Sequence, residues 1–245
     1  MLTENNYSGV LLGRTLIQQR GEIGGARSVF VKLQGKDNQL VFPTFGGKVM
    51  NPFKGAAKIY AGDLIEYRTD ENGWNPEIYI LKTYKVKSSS GTTVKLYRDG
   101  FSHIPFVGDI LMKAPDDIAA KTGTSVTVTA VKRTTDSNTN VWELTVSSAL
   151  TASDGDILVE AKEQASGTAE MLVKNINAVA PCDYDFLFSP VADASDEDDF
   201  DGARYLITPA LGGLMYKEKM SYLPACVEVF NHANVNGWFE VSYRK

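Results

Sequence analysis

Three Gly-Asp pairs, each followed at once by two aliphatic residues, recur at nearly equal steps and set the layout of the chain. They are Gly62-Asp63-Leu64-Ile65, Gly108-Asp109-Ile110-Leu111 and Gly155-Asp156-Ile157-Leu158, with starts 46 and 47 residues apart. Both intervals carry the same order of short apolar runs and turn signals, which marks a β-rich repeat. Gly supplies a turn conformation that a side chain resists, and Asp can bond a nearby backbone N–H where the next strand begins. Gly62, Asp63, Gly108, Asp109, Gly155 and Asp156 are therefore read as structural turn residues on solvated turns, in preference to three catalytic or metal-binding carboxylates.

The strands expected around these pairs follow from alternation. In the first unit, Asp63 to Tyr67 is one strand and Ile78 to Val86 the next; a hairpin across Ser88-Ser89-Ser90-Gly91 leads to Thr93 to Tyr97. The second unit has Ile110 to Lys113, a turn or helical stretch at Pro115 to Lys121, and a strand at Ser125 to Val131. Val126, Val128 and Ala130 share one of its faces and Ser125, Thr127 and Thr129 the other. After a turn at Asp136 to Asn140, Val141 to Val146 points Trp142, Leu144 and Val146 inward. The third unit opens with Asp156 to Glu160 and continues at Met171 to Val179.

Ahead of the repeat lies a glycine-rich arm, in which Ser28 to Leu33 and Gln39 to Phe42 are expected to pair as a hairpin across Gly35 to Asn38. Behind it, an acidic stretch with Asp193, Asp196, Glu197, Asp198, Asp199 and Asp201 breaks the pattern. Short strands are expected at Ala203 to Pro209 and Leu211 to Tyr216. A closing hairpin joins Ala225 to Phe230 with Trp238 to Tyr243. The fold class expected is mainly β, with repeated small antiparallel β-barrel or sandwich units and an extended N-terminal arm. The division expected is residues 1–57 for the arm, 58–180 for the β domain with the Gly-Asp repeats, and 181–245 for a C-terminal β region with the acidic loop.

The sequence assembles no recognisable reactive constellation. His103 and His232 are the only histidines, and no pattern places either beside a nucleophile. Gly46-Gly47-Lys48 lacks the earlier Gly and the following Ser or Thr of a phosphate-binding loop, and Gly21 to Gly25 lacks dinucleotide spacing. In the acidic stretch, Glu197, Asp199, Asp201 and Gly202 fall on calcium-loop positions, but Thr208 stands where the bidentate Glu belongs. It reads as a solvated acidic loop. No catalytic residue, cofactor or metal is expected. Among the aromatics dense across the first unit, Trp74, Tyr79 and Tyr97 are the candidate interface residues, since strands alternately expose their side chains.

A formal charge of −5 without a dense Lys/Arg stripe argues against general nucleic-acid binding. Cys182 and Cys226 have no close metal or redox spacing and are read as reduced thiols. The first residues lack a basic region followed by an apolar stretch, and no apolar run nears the length of a bilayer span. The chain is expected to be soluble and to stay where it is made.

The glycine-rich arm, the phrase from Ala57 to Tyr67 (AKIYAGDLIEY) and the later Gly-Asp copies resemble auxiliary capsid or head-decoration proteins of tailed phages, those of crAss-like phages among them. The resemblance covers roughly residues 20–160 and rests on a short, degenerate motif. It implies a non-enzymatic virion component, made in the bacterial host cytoplasm, that binds the major capsid protein, other virion subunits or itself and reinforces the lattice, with no direct contact to nucleic acid or membrane. The C-terminal portion has no counterpart in it, which leaves a head-fibre or tail-adaptor role open. A carbohydrate-binding module or adhesin using Trp74, Tyr79 or Tyr97 is the second expectation. A hydrolase using the acidic loop is the third.

Overall fold

Leu81 and Lys82 interrupt what the sequence presents as one strand, and the interruption divides the molecule into two β bodies. The computed structural model describes residues 32–33, 36–37, 39–41, 47–51, 56–68, 77–187, 206–207, 209–215, 219–228 and 241–243. Its strands before the break are β1 (Lys32–Leu33), β2 (Lys36–Asp37), β3 (Gln39–Val41), β4 (Gly47–Val49), β5 (Ala56–Ile59), β6 (Leu64–Arg68) and β7 (Glu77–Ile80). After it come β8 (Thr83–Ser90), β9 (Thr93–Tyr97), β10 (Ile110–Lys113), β11 (Ser125–Asp136), β12 (Thr139–Val146) and β13 (Ile157–Glu160). The last are β14 (Ala178–Val179), β15 (Tyr184–Leu187), β16 (Leu206–Ile207), β17 (Ala210–Met215), the one-turn helix α1 (Ala225–Glu228) and β18 (Val241–Tyr243). The protein is mainly β.

Strands β8 to β13 close a six-stranded antiparallel barrel in the order β10-β11-β12-β9-β8-β13. It has two equivalent halves, β8-β9-β10 and β11-β12-β13. Each begins with a hairpin whose register shifts at one point, between Val86 and Ser88 in the first half and between Val128 and Ala130 in the second. The halves meet symmetrically: Leu96 pairs with Trp142 and Val94 with Leu144 on one side, Met112 with Val159 on the other. Closure leaves no free sheet edge in the barrel. Tyr84, Val86, Val94, Leu96, Leu111, Val126, Val128, Trp142, Leu144, Val146 and Leu158 fill its interior. Fully burying side chains of this size is favourable by roughly 1.5–3 kcal/mol each.

The second body is an eight-stranded sheet, β16-β4-β7-β6-β14-β17-β18, with β3 also on β17. Val49, Ile59, Ile65, Ile78, Ile80, Ala178, Ala180 and Ile207 pack on one side. Between the bodies lies a third core, in which Leu64, Leu81 and Val179 meet Met112 and Val159 of the barrel and Met220, Cys226 and Val227 of the C-terminal segment. The middle region 58–180 therefore contributes to both bodies. The first Gly-Asp copy starts β6 in the sheet, whereas the second and third start β10 and β13 in the barrel.

All three copies make the same bulge. Gly62, Gly108 and Gly155 have φ of 82°, 96° and 91°, where a Cβ would be strained. Each Gly N–H donates to the carbonyl of one residue on a neighbouring strand or segment, and that residue's N–H donates back to the Asp carbonyl. The partners are Ala180 (2.8 and 2.9 Å), Val128 (2.8 and 2.8 Å) and Val86 (2.9 and 2.8 Å). Two residues thus oppose one, with the glycine left-handed, the arrangement of a G1 bulge. Each Asp carboxylate closes its own turn by accepting from the N–H three residues earlier: Tyr60 (2.7 Å), Phe106 (2.9 Å) and Ser153 (2.8 Å).

Several expected strands come out differently, each for a local reason. Ile78 to Val86 is split into β7 and β8 at the crossing between bodies. Ala130 is exposed, because the irregularity between Val128 and Ala130 shifts the alternation, while Trp142, Leu144 and Val146 are buried as read. Of Met171 to Val179 only Ala178–Val179 is a strand. Asn177 replaces a ladder partner with its side chain, accepting from the Tyr67 N–H (2.7 Å) and donating to the Tyr67 carbonyl (2.8 Å). The N-terminal hairpin returns early, β2 pairing with β1, and β3 instead joins β17. Ala225–Glu228 is helical following Pro224, and β18 runs parallel to β17, so the described residues of the expected closing hairpin do not pair with each other.

Candidate functional site

Where the chain crosses between the bodies, it buries a row of polar side chains. Asn51, Asp63, Lys82, Thr83, Ser102, His103, Asp109, Glu160 and Ser221 are all nearly solvent-free. Two of the three turn carboxylates lie in this seam, Asp63 at 1% and Asp109 at 3% exposure, so the expectation of solvated turns fails for them. The reason is position: both turns face the neighbouring body. Asp156 keeps the solvated character, with Lys113 at 2.8 Å. Its carboxyl is pushed up by burial, but the Lys113 and Ser153 hydrogen bonds outweigh that and leave it below the ordinary value.

Asp63 is the hub of the first cluster. Besides the Tyr60 N–H it accepts from His103 Nε2 at 3.0 Å and from the Ser221 hydroxyl. The Thr83 N–H points at His103 Nδ1 (3.0 Å), and the Thr83 carbonyl lies 3.3 Å from the same nitrogen. Tyr60 and Tyr84 set ring edges against the imidazole at 5.9 and 6.3 Å. Serine, histidine and aspartate thus meet, but with the carboxylate in the middle. No imidazole nitrogen faces Ser221 Oγ, and the order required of a nucleophile, base and orienting acid is not formed.

The second cluster centres on Lys82, wholly buried. Its Nζ lies 2.5 Å from Glu160 Oε1 and 3.6 Å from Asp109 Oδ1. Tyr84 donates its hydroxyl to Asp109 Oδ2 at 3.3 Å. Asn51 donates from Nδ2 to the other Glu160 oxygen and to the Ile80 carbonyl (3.0 Å), and its Oδ1 accepts from the Ile80 N–H at 2.5 Å. Burial pushes the Glu160 carboxyl above its ordinary value against the pull of Lys82. Burial lowers Lys82, but Glu160 and Asp109 outweigh it and raise the group overall. Burial also drives the Tyr84 phenol well above its ordinary range.

Outside the seam, Tyr97 on β9 is partly exposed and donates its hydroxyl to Asp154 at 3.0 Å. The ammonium groups of Lys85 and Lys87 each lie 5.3 Å from its ring. Lys85 also lies 4.9 Å from the ring of Tyr222, which packs on Phe101. Tyr79 is half-buried under the Arg68 guanidinium at 3.9 Å and donates to Glu77. Tyr79 and Tyr97 therefore sit on different bodies, and Trp74 and the acidic stretch from Asp193 to Asp201 lie outside the described residues.

Comparison of the chain with protein-family models, curated proteins and solved structures found no match. Among the described residues no helix is long and apolar enough to cross a membrane. The sequence reading passed over Asn51, Lys82 and Glu160. Two of them carried a signal: Lys82 ends the apolar run from Ile78, and Glu160 ends that from Ile157. Asn51 had none, because its role depends on a contact 109 positions away.

Proposed function

We propose that this chain is a non-enzymatic structural protein of a tailed-phage virion, an auxiliary capsid protein that binds the major capsid lattice and stabilises it. The observation that carries this reading is the seam. Histidine, lysine and carboxylates capable of acid–base work are committed to joining two β bodies into one, as a load-sharing protein requires, and the patch of tyrosines, lysines and aspartates at Tyr97 remains at the surface. The resemblance of the Gly-rich arm and the Gly-Asp phrase to head-decoration proteins supports the same class, and its location would then be the virion. Such attachment adds stability to the shell by mass action.

The test is co-sedimentation of the purified chain with shells assembled from the major capsid protein of its phage. Deleting residues 1–31, which removes none of the described strands, should abolish binding while the far-UV circular dichroism is kept, and unchanged occupancy would overturn the reading. A head-fibre or tail-adaptor protein would instead co-purify with fibre or portal subunits. A carbohydrate-binding module is the second reading, favoured by the ring of Tyr97 at the surface. Glycan binding lost on Tyr97→Ala or Trp74→Ala, with no affinity for shells, would establish it in place of the first.

A further inference from the structure

We infer that Lys82 and Asn51 join through an intramolecular amide bond, formed by the protein itself with Glu160 as the catalytic acid and base. Four features of the seam supply the parts of that reaction. The nucleophile is a primary amine held without solvent. The electrophile is a carboxamide, also buried, at 3% exposure. One carboxylate touches both reacting nitrogens: Glu160 Oε1 meets Lys82 Nζ at 2.5 Å, and Glu160 Oε2 accepts from Asn51 Nδ2, the atom that must leave. The carbonyl oxygen on which negative charge would develop, Asn51 Oδ1, already accepts the Ile80 N–H at 2.5 Å. A fixed backbone donor at that place stabilises a tetrahedral intermediate in a water-excluded site.

The steps balance without a co-reactant. Glu160 takes a proton from the Lys82 ammonium across their 2.5 Å contact. Burial makes this carboxyl a better acceptor than usual, while Glu160 and Asp109 hold the ammonium charged, so the transfer is uphill and is drawn forward by the departure of ammonia. The freed Nζ lone pair attacks Asn51 Cγ, for which the flexible lysine stem must bring Nζ to within about 3–3.5 Å of that carbon. Glu160 passes a proton to Nδ2, the Cγ–Nδ2 bond breaks, and ammonia departs. Of the three protons on the ammonium, one stays on the new amide, one leaves with ammonia, and one remains on Glu160 or converts the ammonia to ammonium. No electron is gained or lost. Asp109, 3.6 Å from Nζ, holds the ammonium before the reaction and keeps the Tyr84 hydroxyl and the Phe106 N–H as its partners after it. The reaction is a single self-modification, and it ties the segment after β4 covalently to the link between sheet and barrel.

Intact mass and peptide mapping of the folded, full-length chain, denatured only for measurement, decide it. The expected result is a mass lower than the sequence requires by one ammonia, with a branched peptide joining Asn51 to Lys82. Glu160→Gln and Asn51→Ala, checked for folding by circular dichroism, should keep the full mass and lack the branch. A wild-type chain of full mass after prolonged incubation overturns the inference without reference to any variant. A branched peptide in Glu160→Gln overturns the role of Glu160. Loss of one water with a branch between Lys82 and Asp109 overturns the choice of Asn51.

Discussion

Asp63 and His103, 40 positions apart, share a 3.0 Å contact that fastens the first bulge of the sheet to the start of barrel strand β8. The contact works because both ends of the imidazole are used, Nε2 on the carboxylate and Nδ1 on the Thr83 N–H. Removing Asp63 takes away one buried acceptor shared by the Tyr60 N–H, the His103 ring and the Ser221 hydroxyl. The third copy has no such dependants, since Asp156 serves the Ser153 N–H and an exposed lysine. Asp63→Ala should therefore lower unfolding free energy by about 3–5 kcal/mol. Asp156→Ala should cost about 1 kcal/mol or less. Urea unfolding followed by circular dichroism compares them, and equal losses would contradict the distinction between the copies.

The glycines of the bulges allow a cleaner measurement. A Cβ built on Gly155 meets nothing within 4 Å, yet the residue sits at φ 91°. Its substitution penalty is then conformational alone. Gly155→Ala should destabilise by about 1–2 kcal/mol, and Gly155→Asn by less, because Asn tolerates positive φ better. Equal stability of wild type and Gly155→Ala would remove the argument that left-handed geometry fixes glycine in the repeat.

Much of the barrel was legible because its strands obey a period of two. Val126 and Val128, then Trp142, Leu144 and Val146, point inward as alternation requires. Legibility stopped where side chains took over backbone duties. Asn177 imitates a strand partner for Tyr67, and the register shift before Ala130 exposes an apolar residue in mid-strand. The repeat was visible as spacing, but spacing could not tell that its first copy serves the sheet and the other two the barrel. Burial of Asp63 and Asp109 depends on which neighbour each turn faces, a property of the docked bodies. The seam was hidden for the same reason: its members come from six or more separated segments.

The hairpin from β11 to β12 offers a gain in stability. Ser137 and Asn138 both have positive φ, 48° and 64°, as a type I′ turn demands. Serine is a poor residue for that conformation and Asn-Gly the favoured pair. The double substitution Ser137→Asn with Asn138→Gly should raise stability by about 0.5–1 kcal/mol, seen as a higher urea midpoint at unchanged m-value. A lower midpoint would show that the loop is held by something other than its own turn geometry.

Glu66 makes the acid side of the stability curve predictable. Its side chain is 3% exposed and accepts from Arg68 Nε at 2.7 Å, from the Lys174 N–H at 2.8 Å and from the Asn175 N–H at 3.2 Å. Burial pushes its carboxyl up, but the Arg68 hydrogen bond, the two backbone donors and the charge of Arg68 together bring it below the ordinary 4.5. A depressed folded value means that the unfolded chain binds the proton more readily. The contribution of Glu66 is then complete above pH 4.5 and is lost as pH falls through the lower folded value. Glu66→Gln removes that proton-linked contribution, so its loss of stability relative to wild type should be largest near neutrality and should shrink below pH 4.5. Urea midpoints of the two proteins at matched pH values measure the convergence. Parallel curves through the acid range would mean that the carboxylate does not bind β6 to Lys174 and Asn175 in the way its hydrogen bonds indicate.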